Sequence, residues 1–161
     1  MERLLERYDL DRWIYTREVI IRSFVVPHSH PVLTLNTRQL DDDDGLLGTF
    51  LHEQFHWFES SRREFAEQAI AEFRRIYPEV PVGGTEGATN ERSSYLHLII
   101  CTLEFDALAQ LLGRDRATRV VCARPYYRWV YRRVTEDEAK IKPVLERHSL
   151  SLEHATKAED C

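Results

Sequence analysis

The sequence predicts an α+β domain, mainly helical, with a small antiparallel sheet placed before a helix that carries two histidines. Three observations predict it. Apolar residues recur at helical spacing through most of residues 46–148. Two short runs rich in β-branched residues, 17–26 and 32–38, precede them. The chain has 161 residues, 43% hydrophobic and 30% charged, which is enough to build one core without disulfides. The expectation is one domain over 1–148 and a flexible polar tail over 149–161.

In chain order, "REVIIRSFVV" (17–26) reads as a strand, "PHSHP" (27–31) breaks it, and "VLTLNTR" (32–38) alternates as a second strand pairing antiparallel with the first. "DDDDG" (41–45) then sets four acids ahead of a helical pattern, where the positive end of the helix dipole favours them. A calcium loop is the rival, but it lacks the ligand spacing of an EF-hand. Leu46 to Ile76 is one long helix or two in series, ended by "YPEVPVGG" (77–84). A second strong helix runs from Glu91 to Leu112 and stops at Gly113. Two more follow, over 114–123 and 125–148, with a break at Pro143.

The charge balance excludes some function classes. A net charge of −5 argues against a nucleic-acid partner, and paired arginines such as Arg132 and Arg133 read as solvated helix faces. No apolar run reads as long enough for a bilayer, and the charged N-terminus lacks the apolar core of an export signal. Three cysteines without a CxxC fit a reducing, cytoplasmic setting.

The chemistry-bearing stretch is "TFLHEQFHWF" (49–58). On a helix, positions i and i+4 share a face, so His52 and His56 can present two imidazoles to one metal. Glu53 then stands beside the metal, where a general base removes a proton from water. The flanking positions are uncharged, as a helix lying against a core requires. A third ligand is needed. Helix 94–113 lines up Ser94, His97, Cys101, Glu104 and Leu108 on one face. A glutamate inside an apolar helix needs a partner, which makes Glu104 the leading candidate. His97 is a second candidate, either as ligand or as an oxyanion donor, and Glu91 in "TNERSS" is a third.

Together these residues resemble a zincin metallopeptidase. "TFLHEQFHWF" matches the extended zincin signature, and "LEFDALAQLL" (103–112) is similar to the third-ligand helix of small gluzincins of the ImmA/IrrE type, with Glu104 followed by Ala107. Glu91 and Ser94 resemble the corresponding stretch of thermolysin-like enzymes, though Tyr95 replaces the aspartate. Ser60 stands where a metzincin would have glycine. The resemblance covers about 60 residues and implies Zn2+ held by His52, His56 and Glu104, with Glu53 as base. It also implies a zincin-like fold in which an edge strand, here "VLTLNTR", aligns a peptide or protein substrate. His28 and His30 lie in the loop beside that strand and are not counted as ligands.

"RPYYRWVYRR" (124–133) is the remaining unusual segment. Tyr127 or Tyr131 is a candidate donor to an oxyanion, while aromatic packing is the plainer role for both and for Trp129. The functional expectation is zinc-dependent hydrolysis of a peptide or other amide bond. A ferrous site of two histidines and one carboxylate is one rival, and a non-catalytic module with Cys101 or His97 as fourth ligand is another. A cytoplasmic peptidase also needs restraint, by narrow specificity, a regulatory partner or its own tail.

Overall fold

A computed structural model describes residues 1–157. These residues form eight helices and one two-stranded sheet. The short α1 (Glu2–Arg7) and a 3-10 turn (Asp11–Trp13) lead to strands β1 (Val19–Arg22) and β2 (Leu33–Asn36). A second 3-10 turn (Thr37–Gln39) delivers the chain to α2 (Asp43–Ser61) and α3 (Arg63–Ile76). The central α4 (Glu91–Leu112) is followed by α5 (Arg114–Cys122), α6 (Arg128–Glu136), α7 (Glu138–Arg147) and α8 (Leu152–Ala155).

The acidic run starts α2 as the sequence indicates. Asp42 caps it by accepting from the Gly45 N–H at 2.9 Å, and Asp43 and Asp44 occupy the first turn. The long helical stretch resolves into two helices in series, broken at Arg62, whose N–H closes on the Glu59 carbonyl. Asn90 caps α4 through the Ser93 N–H, and Gly113 ends it at φ 82. Every residue from Ser94 to Phe105 is buried, because α2, α3, α5 and α6 all pack around this helix. By length and composition α4 could cross a membrane, contrary to the reading of the sequence, yet 72% of that window is buried inside the fold.

Four expectations change. The strands pair in parallel, not antiparallel, with Val19 opposite Leu33 and Arg22 opposite Asn36. The connection reverses twice within ten residues, at Phe24 (φ 62) and around Pro31, so β2 re-enters in the direction of β1. Its antiparallel neighbour is His28, which exchanges both backbone hydrogen bonds with Thr34 at 2.8 and 3.1 Å. The expected edge strand, 32–38, is therefore bonded on both sides at its centre, and all four β2 residues are buried. Helix 125–148 breaks at Asp137 rather than Pro143. The Asp137 carboxylate takes hydrogen bonds from Tyr77, Arg133 and Lys140, which fixes the corner there and leaves Pro143 inside α7.

The fourth change concerns the tail. Residues 149–157 pack against the fold: Leu150, Leu152 and Ala155 are buried. The Trp13 indole donates to Thr156, and the Lys157 N–H bonds the Arg12 carbonyl. Residues 158–161 of the expected tail lie outside the described residues. None of residues 149–157 lines the cleft described below, so restraint by the tail finds no support in this packing.

Candidate metal centre

The face of α2 that carries His52 and His56 packs on the face of α4 that carries His97, Cys101 and Glu104. Candidate ligand atoms of His52, His56 and His97 lie within 4.8 Å of one another. A second grouping, His52, Cys101 and Glu104, meets the same distance and shares only His52 with the first. The His52 ring centroid is 5.1 Å from His56 and 5.5 Å from His97.

The hydrogen bonds assign a nitrogen to each task. His52 Nδ1 lies 2.9 Å from a Glu104 carboxylate oxygen, and His97 Nδ1 lies 2.7 Å from the Ser93 carbonyl. In both rings Nε2 is left as the nitrogen available to a metal, the arrangement by which neighbouring oxygens fix a ligand's tautomer. Glu104 has no solvent exposure, and three neighbours engage its two oxygens. One oxygen faces Arg124 at 2.8 Å, and the other accepts from Tyr131 at 2.7 Å as well as facing His52. Arg124 also donates to Thr49 at 2.8 Å, tying the ion pair to α2.

This network separates the protonation states. Burial pushes Glu104 upward, but Arg124, His52 and Tyr131 outweigh it and hold the carboxyl at about 2. Burial opposes charge on His52, yet hydrogen bonds to Cys101 and Glu104 lift it to about 10. His97 falls to about 3 through burial and the neighbouring His52, and His56 falls for the same two causes. Burial raises Cys101 and Glu53. Two of the three clustered imidazoles are thus held neutral, as metal donors must be.

Glu53 is buried, makes no side-chain hydrogen bond among the described residues, and lines a cleft of about 560 Å³. The cleft wall along α2 runs from His52 and Glu53 through Thr49 and Gly45 to Asp42. The opposite wall comes from Arg119 to Tyr127. Tyr127 is left-handed at φ 57, and its ring stacks on His97 at 4.1 Å and on His52 at 6.0 Å. A left-handed tyrosine is strained, which marks a position held by its surroundings. Its hydroxyl makes no hydrogen bond among the described residues, and burial raises it to about 12. Tyr131, by contrast, has its hydroxyl committed to Glu104.

The remaining candidates lie elsewhere. Glu91 is at the surface near Arg74, 3.8 Å away, and joins neither grouping. Ser94 pins the preceding loop, donating to the Pro81 carbonyl and accepting from the Ala88 N–H. His28 and His30 are exposed, with His30 stacked on Trp57 at 4.3 Å, and neither joins a grouping. Trp129 packs edge-on against Tyr77.

Sequence reasoning missed Arg124 and Gly48. Nothing local distinguishes Arg124 among the other arginines. Gly48 did leave a signal, since a glycine inside a helix usually has a packing reason. A Cβ there would come within 2.5 Å of Arg124 Nη2 and 3.0 Å of Glu104 Oε1, so Gly48 makes room for the ion pair under α2.

No family model, no curated protein and no solved structure matches this chain. The resemblance to zincins therefore rests on the sequence stretches 49–58 and 103–112 alone.

Proposed function

We propose that the protein is a zinc-dependent hydrolase of an amide bond, with His52, His56 and His97 as metal ligands and Glu53 as base. The carrying observation is the cluster of three imidazoles beside a buried glutamate that lines a cleft. The reading moves the third ligand from Glu104 to His97. Glu104 has both oxygens engaged by Arg124, Tyr131 and His52, and it acts by fixing the His52 ring.

Three imidazole nitrogens suit zinc: His56 and His97 are already held neutral, and His52 gives up its proton when it binds the metal. A ferrous two-histidine, one-carboxylate site would need Glu104 free of its present partners. A closed structural site would need Cys101 among the three histidines, and Cys101 groups with His52 and Glu104 instead.

A zinc ion held there supplies a Lewis acid that polarises a carbonyl and brings the pKa of water near neutrality. Glu53 accepts the proton from that water. Its burial raises its proton affinity, which helps it hold the proton and return it to the leaving nitrogen. Tyr127, stacked on His97 with its hydroxyl unspent, is suited to hydrogen-bond the developing oxyanion. The peptide or protein expectation narrows to an amide entering this cleft, because β2 offers no open edge at its centre.

The test is elemental analysis of the wild type, His97→Ala, Glu104→Gln and Glu53→Gln, with cleavage assays on peptide and N-acyl amide libraries. Wild type and Glu53→Gln should carry one zinc per chain, and His97→Ala should lose it. Glu104→Gln should retain a site weakened by about 10–100-fold. Glu53→Gln should lower turnover by about 10²–10⁴-fold with its metal in place. Metal kept in His97→Ala but lost in Glu104→Gln would return the third ligand to Glu104. A wild type that takes up no zinc would end the enzyme reading.

A further inference from the structure

The sheet ends on one side in an unpaired strand. Thr34 spends its N–H and C=O on His28, so the ladder between β2 and β1 runs through Leu33 and Leu35. By strand alternation, Ile20 of β1 then faces β2, while the backbone groups of Val19 and Ile21 point outward. Among the described residues, no hydrogen bond reaches that outer side. Ile21 is 53% exposed, and Phe24, just past the strand, is 98% exposed. An open apolar edge of this kind is a template for another strand.

The residues along this edge are self-complementary. The stretch Glu18-Val19-Ile20-Ile21-Arg22 is apolar at its centre and carries opposite charges at its ends. Neither Glu18 nor Arg22 has an ion-pair partner among the described residues. Consider two copies placed antiparallel about a two-fold axis at Ile20. Val19 then lies opposite the partner's Ile21, and Ile21 opposite the partner's Val19. Both are hydrogen-bonded pairs, because these are the residues whose backbone groups point outward. In the same register Glu18 faces the partner's Arg22, and Arg22 faces the partner's Glu18. One register therefore satisfies backbone and charge together, as an isologous contact requires.

We propose that β1 is a homodimer edge: a second copy of this chain pairs antiparallel with it about Ile20, making one four-stranded sheet. Pairing covers Ile21 and supports a two-stranded sheet that is otherwise marginal. The proposal is independent of the metal centre, which lies between α2 and α4.

Sedimentation velocity over a concentration series tests it. Ile21→Pro removes an outward N–H and leaves the β1–β2 ladder intact. Glu18→Arg and Arg22→Glu each set like charges opposite one another. The wild type should form a dimer, and each of these three variants should weaken it by roughly tenfold or more. The double variant Glu18→Arg/Arg22→Glu restores opposite charges in the reversed sense and should recover the dimer. That recovery separates a lost contact from a misfolded chain. A wild type that stays monomeric at millimolar concentration overturns the proposal. So does a dimer that none of the variants weakens, or a double variant no better than its singles.

Discussion

His52 divides the centre into two halves of opposite character. On its Nδ1 side, the buried Glu104 is bonded to Tyr131, also buried, and to the partly buried Arg124. On the other side, His56 and His97 are held neutral, and Glu53 and the Tyr127 hydroxyl make no side-chain hydrogen bonds among the described residues. The first half concentrates stability, because the Glu104 carboxylate and the Tyr131 hydroxyl have partners. The second keeps donors and acceptors unspent, as a site that must bind something requires. Substitutions in the first half should therefore be read in stability, and those in the second in metal binding and turnover.

The largest expected effect on stability is at Glu104. Removing one member of a buried ion pair leaves the other uncompensated, so Glu104→Ala should destabilise the metal-free protein by about 3–5 kcal/mol in chemical denaturation. An effect below about 1 kcal/mol would mean that the pair is solvated and the proposed division is wrong.

Glu104 and His52 form a second buried pair, and that pair sets a pH signature. Glu104 is depressed from 4.5 to about 2, so its contribution is complete above pH 4.5 and is lost as pH falls toward 2. His52 is raised from 6.5 to about 10, so its contribution is complete below pH 6.5 and is lost as pH rises toward 10. Thermal melts of the metal-free protein should place the pair's greatest contribution between those limits, at pH 4.5–6.5. Glu104→Gln should flatten both slopes. Equal slopes in wild type and variant would remove the pair as their cause.

Two tyrosines four residues apart sharpen the contrast. Tyr131→Phe removes a hydrogen bond to a buried carboxylate and should cost about 1.5–3 kcal/mol. Tyr127→Phe removes a hydroxyl with no partner and should change stability by less than about 0.5 kcal/mol. If its hydroxyl serves the oxyanion, Tyr127→Phe should instead lower turnover by about 10²–10³-fold. Equal stability losses for the two would erase the distinction between the halves.

Local pattern made one half far more legible than the other. The i, i+4 pair His52 and His56, the adjacent Glu53 and the polar face of α4 follow from helix geometry, and two helix ends followed from the acidic run 41–44 and from Gly113. The direction of β1 against β2 did not, because alternation fixes faces and says nothing of which way a strand runs. Nor did the ranking of Glu104 against His97. Both lie on the same face of α4, and Arg124 and Tyr131, distant in the chain, show that the carboxylate is already engaged. The tail misled for a similar reason: Leu150, Leu152 and Ala155 are too few to show a period, yet they fill the space left by Trp13 and α4.

Gly48 gives the smallest and most discriminating prediction. Glycine to alanine inside a helix normally stabilises by up to about 1 kcal/mol. Here the new Cβ would meet Arg124 Nη2 at 2.5 Å and Glu104 Oε1 at 3.0 Å. Neither neighbour is free to swing away, since Arg124 also holds Thr49, and Glu104 also holds His52 and Tyr131. Overpacking of this kind costs about 1–3 kcal/mol, which exceeds the helix gain. Gly48→Ala should therefore lower the melting temperature and weaken zinc binding together, because the displaced carboxylate is the one that orients His52. A variant that melts higher than wild type would show that the ion pair can shift, and that the rigid half of the centre is less fixed than its hydrogen bonds imply.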